Sequence, residues 1–122
     1  MPLYTIVAQA GSLSPAARAK LAADVTELHV EMAGTPRNWV HVVFLDYPPG
    51  SGFIAGEPAP TVSATVAIRS GRDPGYKRRL LQRLWDLVQE ATGAETDQIV
   101  IGLQELPASN AMELGRTMPD VA

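Results

Sequence analysis

The sequence predicts an α/β (α+β) fold in which a β-α-β unit is used twice. Two long stretches of the chain align without a gap, and Pro15 matches Pro74 at the same offset at which Gly34 matches Gly93. Each stretch places one helix pattern between two strand patterns. Two such units predict a four-stranded sheet with both helices on one face.

The first unit starts with an alternating apolar run over residues 3–9, which is typical of a strand. The helix that follows has Ser14 as its N-cap, Pro15 in its first turn, apolar residues three or four positions apart and a glycine stop. Residues 39–45 alternate again. Since a crossover helix joins the two strands, they are expected to be parallel, in a unit of about residues 2–47.

The segment from Tyr47 to Pro60, "YPPGSGFIAGEPAP", connects the two units. It is rich in Pro and Gly, and Phe53 and Ile54 are its large apolar residues. Because it is too short for a flexible domain linker, we expect a loop or a short hairpin packed at a subunit edge.

The second unit, about residues 60–106, repeats the pattern. Strands are predicted over 61–69 and 98–104, and Asp73 is the N-cap of the helix between them. The tail "PASNAMELGRTMPDVA" is expected to hold one short helical turn near Met112, and its last residues are expected to be mobile.

The sheet face away from the helices stays uncovered in this arrangement. Its alternate residues, including Ile6, Val62, Val66 and Val100 or their neighbours, are too apolar for open water. We therefore expect this face to be buried against other subunits.

Composition limits the class of protein. The 122 residues suffice for one domain, residues 1–122, and the net charge of −3 with no basic run argues against nucleic acid as a partner. No apolar stretch reaches the ~20 residues that span a bilayer, and no signal-peptide pattern opens the chain, so a cytoplasmic protein with no membrane partner is expected. With no cysteine and two histidines, a metal site and a cofactor are not expected.

Pro2 is the first candidate for chemistry. Proline is tolerated at the start of a strand, so a structural role is the simplest interpretation. Removal of Met1, however, would expose a secondary amine. Positive charge and burial lower the pKa of such an amine, which could then take a proton from a carbon next to a carbonyl and return it elsewhere.

Arg69 and Arg72 are candidates for binding an anion. They lie at the end of the third predicted strand and in the turn before a helix start, where guanidinium forks and backbone donors could hold a carboxylate. The alternative is a pair of solvated loop arginines, one of them paired with Asp73.

His29 lies on the border of the apolar stripe of the first helix, and is either a half-buried packing residue or a donor to a substrate oxygen. His41 is interpreted as structural, in the middle of a strand. Glu113, in the tail, is either a solvated carboxylate or a group that orients water or a substrate hydroxyl over Pro2.

Three stretches resemble the tautomerase superfamily, and within it the cis-3-chloroacrylic acid dehalogenase group: "MPLYTIVAQAGSLSPAARAKLAADVTELH", "IRSGRD" and "ELPASNAMELGR". The resemblance covers almost the whole chain. It implies a homotrimer without cofactor that acts on a small carboxylate. It also implies Pro2, His29 and Glu113 as catalytic residues and Arg69 and Arg72 as substrate-binding residues.

One position departs from the family pattern. The family's water-activating tyrosine on the last strand falls at Gly102, which has no side chain for that role. This departure favours a metal-independent tautomerase of 2-keto or enol carboxylates such as phenylpyruvate, with weak dehalogenase or hydratase activity. Two alternatives stay open: a hydrolytic cis-3-haloacrylate dehalogenase in which Glu113 activates water, and a non-catalytic anion-binding oligomer.

Overall fold

The computed structural model describes residues 1–121. Its main strands and helices are β1 (Leu3–Gln9), α1 (Pro15–Ala33), β2 (His41–Tyr47), β5 (Val62–Arg69), α2 (Pro74–Thr92) and β6 (Ile99–Leu106). Two hairpins are formed by β3 (Phe53–Ile54) with β4 (Glu57–Pro58), and by β7 (Met112–Glu113) with β8 (Arg116–Thr117). The predicted fold class, the order of the elements and the hairpin between the two units are confirmed.

The main sheet has the strand order β2-β1-β5-β6. The two outer pairs are parallel, as expected for strands joined by a crossover helix, and the central β1·β5 pair is antiparallel, with Thr5 opposite Thr65. The two units are thus related by an approximate two-fold axis through the centre of the sheet.

The helix ends form where the sequence predicts them. Ser14 Oγ accepts a hydrogen bond from the Ala17 amide at 3.1 Å, and Asp73 Oδ1 accepts one from the Tyr76 amide at 2.8 Å. Each helix ends at a glycine in the left-handed conformation, a geometry that costs other residues more. Because Asp73 caps the helix, the suggested pairing of Asp73 with an arginine is not seen.

Two predicted strands start later than expected, because short 3-10 turns occupy their first residues. Arg37–Trp39 forms one turn, and β2 then starts at His41. Thr96–Gln98 forms the other, closed by a capping box between Glu95 and Gln98. His41 therefore lies at the beginning of its strand and not in the middle.

The prediction for the open sheet face was wrong for three of its four residues. Ile6 and Val66 are fully buried and Val62 is 4% exposed, because all three point toward the helices. Val100 does lie on the open face, at 66% exposure. Side chains alternate along a strand, so the neighbouring positions form the open face, where Leu3, Val43 and Leu45 are the other exposed large apolar residues.

The repeat extends further than the sequence pattern indicated. Ala55 and Leu114 are related by the offset that relates the two helices, and their φ angles are 53° and 55°. Each is followed by a left-handed glycine. This pair of left-handed residues makes the same tight hairpin turn in both units. The helical turn expected near Met112 is a 3-10 turn at Ala108–Asn110, and Met112 begins the second hairpin.

No helix among residues 1–121 combines the length and the apolar character required to cross a membrane.

Candidate functional site

The beginning of the chain lies inside the molecule. Pro2 is fully buried and Met1 is 7% exposed. The Met1 amino group contacts the Glu113 carboxylate of β7 and lies 3.7 Å from Met118 Sδ. The second hairpin and the tail thus enclose the start of β1, a contact between sequence ends that no local pattern could reveal.

Arg69 and Arg72 lie near Met1, around a cavity that Glu113 does not line. Arg69 ends β5 and its guanidinium is 5.8 Å from the centre of the Trp39 ring. Arg72 precedes α2 and lies 4.8 Å from the centre of the Tyr76 ring. Flat aromatic faces hold guanidinium groups in place while leaving their N–H donors free. Both arginines line one small cavity of about 10 Å³, together with Met1, His29, Thr35, Ile68, Tyr76 and Val121.

The tail closes this arginine cavity. Arg69 Nη1 donates to the backbone carbonyl oxygens of Pro119, at 2.6 Å, and Asp120, at 3.3 Å. Val121 lies against Gly71, in the space that a Cβ at this position would require. The carbonyl oxygens of the tail therefore occupy donors that a substrate carboxylate would use.

His29 is 4% exposed and forms part of the site. Its Nδ1 lies 2.7 Å from the hydroxyl oxygen of Tyr4, whose side chain is fully buried. Burial raises the pKa of Tyr4, so its hydroxyl stays protonated and donates to Nδ1. The proton of the neutral imidazole then resides on Nε2, where it is available to a ligand in the arginine cavity.

The charge state of His29 follows from its surroundings. Burial, Arg72, the amino terminus and Arg69 lower its pKa from 6.5 to about 4. At neutral pH the imidazole is therefore uncharged and acts as a hydrogen-bond donor. The border position in the apolar stripe suggested a half-buried histidine, but the contact with Tyr4, a residue far away in the sequence, brings it inside.

Glu113 lines a second cavity of about 330 Å³, which Met1 lines as well. Its side chain is 16% exposed, and its Oε2 is buried without a hydrogen-bond partner among residues 1–121. The cavity is lined by Met1, Pro2, Leu3, His41, Leu106, Ala111, Met112 and Glu113. His41, which was interpreted as structural from the sequence, lines this cavity. Its strand starts later than predicted, so the sequence pattern did not indicate that His41 lies at the cavity.

The amino group experiences two opposing charges. Burial and the Arg69 guanidinium lower its pKa from 8.0 to about 6, because both disfavour the protonated form. The Glu113 carboxylate in contact with it acts in the opposite direction. The balance of Arg69 and Glu113 therefore sets the charge of an amine at this point.

Only one of the two repeated units holds this set of groups. At the offset that relates the two units, the counterparts of Pro2, His29, Arg69, Arg72 and Glu113 are Thr61, Val88, Ala10, Leu13 and Ile54. None of these counterparts is charged. Within residues 1–121, the second unit therefore has no equivalent of this set of groups.

Comparison with known proteins identifies the family. The family model described as "Putative oxalocrotonate tautomerase enzyme" matches residues 1–122. The chain belongs to the tautomerase superfamily. No curated protein matches it.

Among solved structures, this tautomerase-superfamily chain is similar to native Ps01740, at 35% identity over 91% of this chain and 99% of that chain, with a TM-score of 0.88. It is also similar to N1, a member of the cis-3-chloroacrylic acid dehalogenase family, at 31% identity over 98% of this chain and 85% of that chain, with a TM-score of 0.91. A third neighbour, Pt0534 inactivated by 2-oxo-3-pentynoate, is 25% identical over 95% and 94% of the two chains, with a TM-score of 0.86. These findings confirm the superfamily and its dehalogenase-like group.

Gly102 lies on β6, opposite Thr65 of β5, and a Cβ added there would meet no atom within 4 Å. The position that departs from the tautomerase pattern therefore has room for a side chain within the single chain. Among residues 1–121, no three His, Asp or Glu side chains are grouped in a way that could hold a metal ion.

Proposed function

We propose that this chain, after removal of Met1, is a tautomerase of small 2-keto or enol carboxylates such as phenylpyruvate, working in the cytoplasm with the Pro2 amine as general base and acid. The observation that supports it is the place of the buried amino terminus, between two arginines and a carboxylate. The inactivation of the related Pt0534 by a 2-oxo acid, 2-oxo-3-pentynoate, agrees with this substrate class.

The proposed proton transfer uses these groups as follows. Arg69 and Arg72 hold the substrate carboxylate, once the tail carbonyls have released Arg69. The neutral Pro2 nitrogen takes a proton from the carbon next to the substrate carbonyl, the electron pair of the broken C–H bond forms the C=C bond, and the carbonyl π pair moves to oxygen, which solvent protonates to give the enol. The His29 Nε2–H donates to that oxygen. In the reverse direction the protonated Pro2 returns its proton to carbon.

The test is ketonisation of enol-phenylpyruvate by the processed enzyme and by the Pro2→Ala variant. We expect the variant to lose at least about 100-fold in kcat/KM, the usual size of general acid–base catalysis. Pro60→Ala, at an exposed proline of the connecting segment, is the matched control. Undiminished turnover by Pro2→Ala would end the proposal. Mass spectrometry on the purified protein must first show that Met1 is absent, since a retained Met1 blocks the amine.

A second candidate is hydration or dehalogenation of cis-3-haloacrylates. The unpartnered Oε2 of Glu113 favours it, because a buried carboxylate oxygen beside the amine could activate water. This chemistry requires Pro2 to be protonated at neutral pH, whereas the tautomerase requires it neutral. Titration of the Pro2 nitrogen by ¹⁵N NMR separates the two: a pKa below 7 supports the tautomerase, and a pKa above 8 supports the dehalogenase.

Gly102→Tyr provides a further test of the second candidate, since the position has room for a side chain. If the missing phenol limits the addition of water, this substitution raises haloacrylate hydrolysis. An unchanged rate would show that the phenol is not the limiting group.

We further propose that the active form is a homotrimer. The open sheet face exposes Leu3, Val43, Leu45 and Val100, which together form an apolar surface suited to burial against other subunits. A fused 4-OT neighbour is described as a symmetric trimer. At 22% identity its likeness supports the shared fold, and the assembly comes to this chain as a proposal.

A further inference from the structure

The Met1 side chain fills an apolar niche of its own. We call this set of residues the niche: Trp39, Ala67, Leu106, Ala108, Ala111 and Met118. Ala108, Ala111 and Met118 are all buried. The niche is separate from the main core, which lies between the helices and the sheet.

The niche lies next to the proposed catalytic nitrogen. Met1 lines both the arginine cavity and the larger cavity that holds Glu113. Removal of Met1 would leave the niche empty beside Pro2 and would take away a residue that lines both cavities. An apolar surface of this kind favours contact with apolar groups over contact with water.

We infer that the niche binds the side chain of the substrate, and that among aliphatic 2-keto acids those with an unbranched apolar side chain are preferred. The inference rests on the proposed function. With the carboxylate on Arg69 and Arg72 and the reacting carbon at Pro2, the groups beyond that carbon enter the niche. The methionine side chain has about four non-hydrogen atoms, which sets the length that the niche accommodates.

The test is deuterium incorporation at the reacting carbon of 2-keto acids in D₂O, followed by ¹H NMR. The series runs from pyruvate, which has no side chain beyond that carbon, through 2-oxobutyrate and 2-oxohexanoate to 2-oxoheptanoate and 2-oxooctanoate. Burial of a methylene is worth a factor of about four. We expect kcat/KM to rise about fourfold per methylene as far as 2-oxoheptanoate and to stop rising at 2-oxooctanoate, which exceeds the niche.

Two substitutions in the niche are expected to change the dependence of kcat/KM on chain length in opposite directions. Ala111 has an extended backbone that accepts a larger side chain, so Ala111→Leu fills the niche and flattens the dependence on chain length. Met118→Ala enlarges the niche and moves the optimum to 2-oxooctanoate or longer acids. Ala19→Leu, at an exposed position of α1, is the matched control and keeps the wild-type series.

The outcomes separate this inference from the proposed function. Exchange that depends on Pro2 but is equal for all chain lengths overturns the inference and leaves the tautomerase in place. Absence of exchange with every acid overturns the tautomerase. In that case binding of the saturated acids acetate to hexanoate, followed by Trp39 fluorescence in a Trp85→Phe background, still tests the niche. Affinity that does not increase with chain length would then overturn it.

Discussion

At the scale of single residues, the proposed chemistry depends on one amine between two opposite charges. Burial and Arg69 lower the pKa of the Met1 amino group, and the Glu113 carboxylate in contact with it opposes them. A neutral base at pH 7 requires burial and Arg69 to prevail over Glu113. The same three groups, with the balance reversed, would give a protonated amine suited to adding water.

This balance predicts opposite shifts for two substitutions that each remove one charge. In Arg69→Gln, loss of the nearby cation raises the pKa of the amine, so the rise of kcat/KM with pH moves to higher pH. In Glu113→Gln, loss of the anion lowers the pKa of the amine, so the rise of kcat/KM with pH moves to lower pH. A pH profile of enol-phenylpyruvate ketonisation measures both. Shifts in the same direction for the two variants would show that the amine does not control the profile.

His29 makes folding stability depend on pH. Its pKa is about 4 in the folded chain and 6.5 when unfolded, so between these values the unfolded state binds more protons and stability falls as the pH falls. The shift corresponds to about 3 kcal/mol, lost between pH 6.5 and pH 4. Urea unfolding of wild type and His29→Gln at several pH values isolates this contribution from that of the carboxylates. Equal losses in the two proteins would contradict a neutral buried imidazole.

The sequence identified His29, Arg69, Arg72 and Glu113 as candidates, and the structure brings all four around the amino terminus. It could not show that Tyr4 orients His29, because the two residues belong to different elements and their contact depends on how α1 packs on β1. The exposed His41 was missed for a different reason. Its strand was predicted to start at residue 39 but starts at His41, so its position beside the cavity was not recognised.

At the scale of elements, the tail beyond Met118 occupies part of the proposed carboxylate site. The carbonyl oxygens of Pro119 and Asp120 accept hydrogen bonds from Arg69, and Val121 lines the same cavity as Arg72. The mobility expected for the last residues stays a prediction, and residues 119–121 contact the proposed site in this structure.

A chain that ends at Met118 is therefore expected to bind 2-keto acids more tightly. Release of Arg69 from one or two backbone acceptors, each worth about 1 kcal/mol, lowers KM about five- to thirtyfold with little change in kcat. Pro119→Ala, at an exposed position, keeps the backbone carbonyl that Arg69 uses and is the control, with a KM near that of the wild type. A higher KM in the shortened chain would instead assign the tail to closing over bound substrate.

The helices and strands themselves were largely predictable. Ser14 and Asp73 cap their helices through the hydrogen bonds that their side chains favour, and the repeat fixed the order of the strands. The hairpins were harder, because the left-handed residues at their turns are Ala55 and Leu114, which rarely adopt this conformation. In the sequence, only the glycine that follows each of these residues indicates a turn.

At the scale of the whole molecule, the open face of the sheet should control assembly. A charge placed there would have to be buried without a partner, which costs several kcal/mol at an interface. We expect Val100→Lys to reduce the molar mass in solution from that of a trimer to that of a monomer, as measured by size-exclusion chromatography with light scattering. Gln82→Lys, on the exposed side of α2, is the matched control. A trimer in both variants would place the interface elsewhere.

The fold class could be derived from the repeat, but the identity of the open face could not. An alternating strand has two apolar faces in this sequence, and only packing shows that Ile6 and Val66 meet the helices while Leu3 and Val100 do not. The period of two along a strand shows that side chains alternate between two faces of the sheet, but it does not show which face meets the helices. The direction depends on the register between β1, β5 and their neighbours.

Both ends of the chain converge on Arg69: Met1 lines its cavity, and the carbonyl oxygens of Pro119 and Asp120 bind its guanidinium. An affinity tag at the amino terminus would block the secondary amine, and one at the carboxyl terminus would crowd the entrance to the same cavity. Recombinant protein for any assay of the proposed activity should therefore be made untagged, or with a tag that a protease removes to leave Pro2 first.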